Sequence, residues 1–568
     1  MKDRALHEKI EYINIREMVE DIGRKFEGKP AYRFRKNPHD KEAVVINYEV
    51  LRDHVRGLTT ELLDRGYKGK HIAVIGKHSY SWILAYYSVL AADAVLVPLD
   101  RDWSAEDLAE TVKTGDVSAV VCDGDIMEKC AKVCELAELP APICLDGEDD
   151  NSFGQYRELG MAKFKENSAP YFENEIDPNK MSLLVFTSGT TGKGKGVMLS
   201  QKNFMSDLAD VIPFIDFSVK CMNVLPPHHT YGSSVSIFGQ NSIGCDIYIS
   251  SGVKYILKEL NEHKPGHLVA VPLYVETFYR RILKGIKDSG KEKLLMTLMK
   301  INDACRKIGF NPLGGFFKKK ILSSFGGELN MIISGGAPLN QEMADLFDSI
   351  GVKVLNGYGI TECAPILAVN HNHFIVPKSV GPVLPIVEAR IDEPNEDGEG
   401  EIQVKGTNVM LGYYKDDEAN AAAFTEDGFF RTGDYGKLEV DKYGTRILYI
   451  TGRLKNLIIL SNGKNVYPEE IEDALSATPG VVDIVVYEGK SRRGDAYNTI
   501  VAEIYPDKNL LEEMGVSDFK EYFQKFVNDY NKTAVPYKKI GLLKVREEEF
   551  PKNTLRKILR RKMDMTID

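Results

Sequence analysis

The sequence predicts an α/β protein with a large N-terminal domain and a smaller C-terminal domain. At 568 residues the chain is too long for one hydrophobic core, so we expect a large body and at least one smaller unit. In the N-terminal part, short apolar runs at 72–75, 94–98 and 119–122 alternate with helical patterns such as 79–92. Strands that alternate with helices pair in parallel and form layered sheets, and a compact α/β unit is predicted after residue 453.

Composition and charge narrow the class of protein. Hydrophobic residues make up 43% of the chain and charged residues 27%, which is typical of a soluble globular protein. The net charge of −10 argues against a polybasic nucleic-acid binder. The N-terminal residues lack the apolar core of a signal peptide and no apolar run reaches about 18 residues, so we expect a cytoplasmic protein without a membrane span. The eight cysteines form no C-x-x-C pair, which predicts reduced thiols and no zinc site.

A glycine-rich loop at 187–196 follows an apolar run at 183–186, which predicts a buried strand that ends in a phosphate-binding loop. Glycines let backbone N–H groups face an anion, while hydroxyl groups add donors and lysines add positive charge. The residues that carry these groups are Thr187, Ser188, Gly189, Thr190, Thr191, Gly192, Lys193 and Lys195.

Two interpretations of this loop compete. Gly189, Gly194 and Lys195 fit the G-x-x-x-x-G-K part of a Walker loop, but Gly196 stands where a magnesium-binding Ser or Thr is required. Residues 197–199 also do not open a helix, so the Walker interpretation fails at two points. A flexible linker would not follow a buried strand. The loop instead resembles the T-S-G-T-T-G-x-P-K-G signature of the adenylate-forming superfamily, with Gly194 in place of the usual proline.

Two further strand exits carry candidate nucleotide-binding residues. Strands at 331–333 and 352–355 are followed by the segments 334–339 and 356–362, and open α/β sheets bind ligands at such exits. Small residues there let a flat base lie against the backbone, and an aromatic ring can stack on it. The segments resemble the S-G-G-A-P and G-Y-G-x-T-E motifs of the same superfamily. Their candidate residues are Gly335, Gly336, Ala337, Asn356, Gly357, Tyr358, Gly359, Thr361 and, as an oxygen ligand for Mg²⁺, Glu362.

A small antiparallel β unit is predicted next. Alternating patterns at 387–391 and 402–404 flank the acidic segment 393–401, which we interpret as a solvated hairpin turn rather than a metal site. Residues 430–434 resemble the Y-R-T-G-D motif. A carboxylate at Asp434 can accept hydrogen bonds from both ribose hydroxyls.

A histidine on a loop is the candidate for the acyl side of the site. Prolines and Gly232 place His229 on a loop after a strand, in a segment that resembles the P-L-x-H-x-x-G element whose histidine lies by the acyl carboxylate. A surface role for this histidine is the alternative. A helix predicted at 272–286 follows, as in acyl-CoA synthetases.

The segment 280–320 contains twelve Lys or Arg residues and three acids, interleaved with apolar residues. A basic amphipathic segment of this kind can lie on an anionic membrane surface at the inner face of a membrane, or it can be a solvated helical face.

The C-terminal part is predicted to begin at Arg453, with a helix that starts at Pro468 and a basic tail at 550–560. The tail resembles P-K-T-x-x-G-K-I-x-R, with Lys557 at the position of the catalytic lysine. Asn553 and Arg556 depart from that pattern and leave the register open, since Lys552 is also available.

Taken together, the motifs resemble the adenylate-forming superfamily over nearly the whole chain. The resemblance implies an AMP-binding domain at 1–452, whose part from about 380 to 452 is a small β-barrel-like unit, and a mobile C-terminal lid at 453–568 with its hinge at Lys455. It implies catalytic roles for Lys557, Glu362, Thr187 and His229, and Mg²⁺ ligation by Glu362 and Thr190. The residues implied to bind ATP or AMP are Thr187, Ser188, Gly189, Thr190, Thr191, Gly192, Lys195, Gly335, Gly336, Ala337, Asn356, Gly357, Tyr358, Gly359, Thr361, Asp434, Arg453 and Lys557.

The activity that this resemblance implies is ATP-dependent activation of a long- or medium-chain fatty acid to acyl-AMP and pyrophosphate, followed by transfer to CoA. Gly463 and Lys464 are then expected near the incoming thiol. Within the same chemistry, the alternative acceptor is a separate acyl-carrier protein. Two alternatives belong to other classes of protein. An NTPase that cleaves between the β- and γ-phosphates would produce ADP. A catalytically inactive nucleotide-binding protein would form no adenylate.

Overall fold

The computed structural model describes residues 5–187, 194–307, 310–460, 465–490, 496–552 and 558–567. The helices are α1 (Ile15–Lys25), α2 (Tyr48–Asp64), α3 (Tyr80–Ala91), α4 (Ala105–Thr114), α5 (Met127–Ala137), α6 (Phe153–Glu166), α7 (Ala169–Phe172), α8 (Gln201–Val211), α9 (Gln240–Ser242), α10 (Ile256–His263), α11 (Pro272–Asp288), α12 (Glu292–Lys307), α13 (Gly314–Lys320), α14 (Gln341–Ser349), α15 (Asp417–Ala423), α16 (Pro468–Ser476), α17 (Lys508–Glu513) and α18 (Phe519–Thr533). A π-helical segment, Tyr231–Gly239, precedes α9.

The strands are β1 (Pro30–Phe34), β2 (Val44–Asn47), β3 (His71–Ile75), β4 (Val95–Leu99), β5 (Val117–Cys122), β6 (Ile143–Cys144), β7 (Met181–Thr187), β8 (Lys195–Ser200), β9 (Lys220–Asn223), β10 (Asp246–Ile249), β11 (His267–Ala270), β12 (Met331–Ser334), β13 (Lys353–Gly359), β14 (Ile366–Val369), β15 (Gly381–Pro382), β16 (Val387–Asp392), β17 (Gly400–Gly406), β18 (Gly412–Tyr413), β19 (Phe430–Val440), β20 (Arg446–Arg453), β21 (Ile458–Ile459), β22 (Asn465–Val466), β23 (Val481–Lys490), β24 (Ala496–Pro506) and β25 (Ile540–Val545).

Two large sheets form the N-terminal part and confirm the predicted layered α/β class. The first has the order β14-β13-β12-β11-β9-β10-β1-β2 and is parallel from β1 to β13, with an antiparallel strand at each edge. The second has the order β18-β8-β7-β4-β3-β5-β6 and is parallel from β7 to β6. The parallel strands of each sheet end at one edge, and the loops that carry the predicted motifs leave from those edges.

One hydrophobic core lies between the two sheets. Helix α3 is buried on all sides in it, and its Trp82, Tyr86 and Tyr87 are fully buried. Tyr86 and Tyr87 each pack edge-on against Phe238 of the π-helical segment, with ring centroids 5.1 Å apart. These aromatic residues are therefore core residues that hold the π-helical segment against the second sheet.

The predicted antiparallel unit is a five-stranded sheet of order β15-β20-β19-β17-β16. Strands β16 and β17 pair antiparallel, and residues 393–398 between them form an exposed turn as expected, whereas Gly400 and Glu401 of the acidic segment already belong to β17. The C-terminal part contains the three-stranded sheet β23-β24-β25 with helices α16 and α18, and α16 begins at Pro468 as predicted.

Three elements differ from the prediction. The periodicity of residues 10–26 predicts a helix from residue 10, but α1 begins at Ile15, because the Asn14 side chain caps it by accepting a hydrogen bond from Glu17 N. Strand β13 continues through Gly359 instead of ending at residue 355, because β14 returns antiparallel beside it. Helix α2, a 17-residue element packed against α6, was not predicted.

Among the described residues, no helix is both long and apolar enough to cross a membrane.

Candidate active site

The glycine-rich loop connects two antiparallel strands. Thr187 ends β7 and pairs with Lys195 at the start of β8, and its Oγ1 donates a 3.4 Å hydrogen bond to the Lys195 carbonyl. A Cβ atom at Gly194 would lie 2.6 Å from the Thr187 carbonyl oxygen, so this close approach requires glycine. Val197 lies in β8, a strand and not a helix, which agrees with rejection of the Walker interpretation.

Several predicted site residues lie outside the described residues. They are Ser188, Gly189, Thr190, Thr191, Gly192 and Lys193 of the loop, Gly463 and Lys464 of the C-terminal part, and Lys557.

Asp434 is held by a tyrosine and an arginine from different parts of the chain. Its carboxylate is 5% exposed, and Oδ2 accepts a 2.5 Å hydrogen bond from the Tyr358 hydroxyl. Oδ1 lies 3.1 Å from Arg453 Nε, because Asp434 of β19 pairs in register with Arg453 of β20. Burial, followed by the Asp434 charge, raises the pKa of Tyr358 well above its ordinary value. Tyr358, Asp434 and Arg453, distant in sequence, thus form one polar cluster.

Glu362 lies in a short 3₁₀ turn, Thr361–Cys363, directly after β13. Its Oε1 accepts a 3.1 Å hydrogen bond from the Tyr413 hydroxyl, and burial raises the pKa of the Glu362 carboxyl. The positive charge of Arg453 opposes this rise. A carboxylate whose ionised form is disfavoured by its surroundings fits a divalent cation, because a bound cation stabilises that ionised form.

Tyr413 connects Glu362 to the glycine-rich hairpin. Its strand β18 pairs with β8, with Tyr413 opposite Val197, and Lys195 Nζ lies 4.7 Å from the centroid of the Tyr413 ring. One tyrosine therefore joins the hairpin lysine to the carboxylate predicted to bind metal. Sequence reasoning missed Tyr413. The only signal was the aromatic pair after Gly412, which is weak by itself.

The Gly335–Gly336 turn follows β12 and packs on Tyr231. A Cβ atom at Gly335 would lie 3.1 Å from Tyr231 Cζ, and Gly336 has a φ of +83°, so both positions favour glycine. The Tyr231 hydroxyl donates a 3.1 Å hydrogen bond to the Ile333 carbonyl. Ala337, directly after the turn, is exposed.

Strand β13 lies next to this turn. It carries Asn356, which pairs with Ser334, and it continues through Gly357 to Gly359. A Cβ atom at Gly359 would lie 2.1 Å from the Pro365 carbonyl oxygen. Thr361 follows at the start of the 3₁₀ turn. The structure thus brings both predicted strand exits to one edge of the first sheet.

His229 occupies the turn that leads into the π-helical segment. Its carbonyl accepts a hydrogen bond from Ser233 N at 3.0 Å, and its ring centroid lies 4.3 Å from that of His228. His228 Nε2 in turn lies 3.7 Å from Oδ2 of Asp100, a buried residue directly after β4. Burial lowers the pKa of His228, against the opposing effect of Asp100. The His228–Asp100 contact connects the His229 turn to the second sheet, and sequence reasoning missed it.

Lys455, the predicted hinge residue, lies in the 3₁₀ turn Leu454–Asn456, two residues after Arg453. Burial, with a further contribution from the positive charge of Arg453, lowers the pKa of Lys455. Lys552, the alternative to Lys557, is only 6% exposed and forms ion pairs of 2.6 Å with Asp483 and 2.8 Å with Glu549. Both partners belong to the C-terminal part, so in this arrangement Lys552 is bound within that part.

A buried group of two thiols and an imidazole, Cys221, Cys245 and His267, lies at the amino ends of β9, β10 and β11, at the opposite edge from the site. His267 Nδ1 accepts a hydrogen bond from Ser218 N at 3.2 Å, and Cys221 Sγ donates to Gln240 Oε1 at 2.8 Å. These atoms are engaged in hydrogen bonds, so we interpret the group as part of the core and not as a metal site.

The chain is similar to known proteins in sequence and in fold. The chain is 27% identical to the probable acyl-activating enzyme 16 of Arabidopsis thaliana chloroplasts, over 84% of this chain and 75% of that protein. It is also 27% identical to long-chain-fatty-acid–CoA ligase 5 of Rattus norvegicus, over 84% of this chain and 74% of that protein. Among solved structures, ATP-bound MatB from Rhodopseudomonas palustris shares the fold with a TM-score of 0.74 and 24% identity, over 96% of this chain and 97% of that one.

A family model described as "AMP-binding enzyme" matches residues 19–414, which includes the hairpin, the Gly335 turn and Glu362. The chain therefore belongs to the AMP-binding enzyme family.

Proposed function

We propose that this protein activates a long- or medium-chain fatty acid with ATP and transfers the acyl group to CoA. The proposal rests on three groups: Asp434, Glu362 and the Thr187–Lys195 hairpin. Tyr358 and Arg453 contact Asp434. Tyr413 connects Glu362 to the hairpin. Such a site offers an acceptor for ribose hydroxyls, an oxygen ligand for a cation and a loop for phosphates. The names of relatives, which include several long-chain-fatty-acid–CoA ligases, support the choice of acid.

In the first step, a carboxylate oxygen of the fatty acid attacks the α-phosphorus of ATP, and the bond to the β-phosphate oxygen breaks to release pyrophosphate. Asp434 orients the ribose, while Lys195 and Lys557 offset the negative charge that accumulates on the phosphates. Mg²⁺ bound at Glu362 would add positive charge to the same phosphates. In the second step, the thiol sulfur attacks the acyl carbon, its proton is lost, and AMP leaves.

The two steps make different demands on the C-terminal part. Lys557 is needed at the phosphates in the first step, whereas Gly463 and Lys464 are proposed to adjoin the thiol in the second. We propose that residues 453–568 form a lid that rotates about Lys455 between the steps. The engagement of Lys552 by Asp483 and Glu549 supports Lys557 as the lysine of the first step.

The acceptor has one named alternative. A chloroplast relative that is 26% identical to this chain is a long-chain-fatty-acid–[acyl-carrier-protein] ligase. A carrier protein presents the same thiol chemistry as CoA on a larger body, so the site described above serves either acceptor equally.

The test is pyrophosphate and AMP production across a panel of carboxylic acids from C2 to C18, first with CoA and then with a carrier protein. We expect pyrophosphate release to be greatest with medium or long chains and thioester to form with CoA. ADP as the nucleotide product would contradict adenylation and indicate an NTPase. The absence of any acyl-adenylate, with nucleotide binding intact, would indicate a catalytically inactive binding protein. Thioester with the carrier protein alone would change the acceptor.

A further inference from the structure

A basic and apolar surface lies on helices α12 and α13 and on residues 310–313 before α13. Four large apolar side chains are exposed within 23 residues here: Leu294 (55%), Ile301 (50%), Phe310 (65%) and Phe316 (38%). Isolated exposed apolar residues are common, but a cluster of this kind is unusual on a globular protein. We call it the α12–α13 surface.

The exposure is not caused by poor packing of these helices. Helix α12 buries Met299 and Asn302 on its inner side, and Asn302 Nδ2 donates a 3.1 Å hydrogen bond to the Ser349 carbonyl. Helix α13 buries Phe317 completely, whereas the preceding Phe316 points outward. Leu294 and Ile301 are seven residues apart and therefore lie on the same outer side of α12. Both helices are thus packed on one side and apolar on the other.

Positive charge surrounds the exposed apolar side chains. The exposed basic residues of this part of the chain are Arg281, Lys284, Lys287, Lys291, Lys293, Lys300, Lys319 and Lys320. Residues 280–320 carry twelve basic residues against three acids, in a chain whose net charge is −10. The local charge is therefore opposite to that of the whole protein.

We propose that the α12–α13 surface docks on an anionic lipid bilayer. Lysines adjacent to a membrane are attracted to acidic headgroups, and aromatic and aliphatic side chains enter the headgroup boundary. An acidic soluble protein would match the charge but would not require four exposed aliphatic or aromatic residues among the lysines. A peripheral attachment also agrees with the absence of a membrane-spanning helix among the described residues.

The position of the surface relates it to the candidate site. Helix α11 starts at Pro272, beside the Gly336 turn of the candidate site. A Cβ atom added at Gly336 would lie 3.6 Å from Cγ1 of Val271, the residue before α11. The 17 residues of α11 extend about 25 Å from there toward α12. If the substrate is a fatty acid, as the proposed function holds, docking here would bring the site within one helix length of the lipid that contains it.

The test is co-sedimentation of the full chain, without substrates, with vesicles of phosphatidylcholine alone or with 30% phosphatidylglycerol. We expect binding to the anionic vesicles that weakens as salt rises. The double variant Lys293→Glu/Lys300→Glu should bind at least tenfold more weakly, because each lysine near the surface contributes about a fivefold effect. Leu294→Ser/Phe310→Ser should also weaken binding at least tenfold. The matched control is Val219→Ser/Val440→Ser, which changes two exposed apolar residues elsewhere.

Equal binding to both vesicle types, no binding, or the same loss in the control variant would overturn the proposal. Binding of a soluble acidic carrier protein, lost in Lys293→Glu/Lys300→Glu and without vesicle binding, would assign the surface to a protein partner instead. Circular dichroism shows whether each variant is folded. Pyrophosphate release with a water-soluble medium-chain acid should stay unchanged in all three variants, so failure of docking and failure of the proposed activity are separate results.

Discussion

The hydroxyl of Tyr358 and the carboxylate of Asp434 are 2.5 Å apart, although 76 residues separate them in the chain. Strand β13 supplies the tyrosine and β19 of the small antiparallel sheet supplies the aspartate, so the contact joins the two units. It orients the carboxylate that we propose to bind ribose.

Tyr358→Phe removes this hydrogen bond while it keeps the ring. A hydrogen bond to a charged group contributes about 1.5–3 kcal/mol, so we expect the KM for ATP to rise by roughly ten- to a hundredfold. The KM for the fatty acid should change by less than twofold. Steady-state pyrophosphate release measures both constants. The control is Tyr443→Phe, at an exposed tyrosine. An unchanged KM for ATP would contradict a role of the Tyr358–Asp434 contact in nucleotide binding.

Tyr413→Phe should shift the pH dependence of adenylation. Burial raises the pKa of Glu362, and the hydrogen bond from Tyr413 opposes that rise by favouring the ionised form. The variant therefore has a higher Glu362 pKa, and activity that needs the carboxylate should be lost at a higher pH as the solution is acidified. The measurement is kcat/KM against pH from 5 to 8 at saturating Mg²⁺. The concentration of Mg²⁺ needed for half-maximal rate should also rise, and a profile identical to that of the unaltered protein would argue against Glu362 as the metal ligand.

Lys557→Ala should separate the half-reactions. We expect adenylate formation to fall by at least a hundredfold, because the variant lacks a positive charge at the phosphates. Thioester formation from a supplied acyl-adenylate should remain within about threefold. Lys552→Ala is the matched control, although loss of its two ion pairs makes a measurement of Tm necessary. Equal loss of both half-reactions in Lys557→Ala, or selective loss of adenylation in Lys552→Ala, would reassign the role.

Lys455→Pro should impair thioester formation and leave adenylation nearly unchanged. Proline restricts the backbone at the proposed hinge, so rotation of the lid is hindered while the first step proceeds. Thioester formation from supplied adenylate should fall by at least tenfold, with adenylation changed little. Lys455→Ala, which keeps the backbone free, serves as the control. Normal thioester formation in the proline variant would place the hinge elsewhere.

Gly196→Ser would complete a Walker-like G-K-S sequence. A Cβ atom there would lie 3.0 Å from Leu184 Cδ1 and 3.3 Å from the Phe186 ring, so we expect a loss of about 1–3 kcal/mol in the free energy of unfolding. The nucleotide product should remain AMP, because the residues that follow Gly194 form strand β8 and not the N-terminus of a helix. Thermal unfolding measures the loss of stability, and product analysis identifies the nucleotide. The appearance of ADP would support the Walker interpretation.

Local patterns were sufficient for much of the fold. The pattern at 201–211 predicts a helix, and α8 begins at Gln201 as predicted, because Ser200 caps it and Asn203 completes a capping box within four residues. The strand before the glycine-rich loop and the exit at Gly335 were also predicted from neighbouring residues. Strand β13 was predicted too short, because its last residues are extended by pairing with β14, which no local pattern encodes.

The sequence by itself determined the family of motifs, their order and the candidate residues at each strand exit. Only the tertiary structure decided that Tyr413 bonds Glu362, that Arg453 and Tyr358 share Asp434, and that His228 lies against Asp100. The physical reason is that a motif records which backbone turn and which functional group a short segment needs, whereas partners of a buried charge come from distant segments. Once the sheets have packed, a buried charge is stable only if such partners form hydrogen bonds or ion pairs with it.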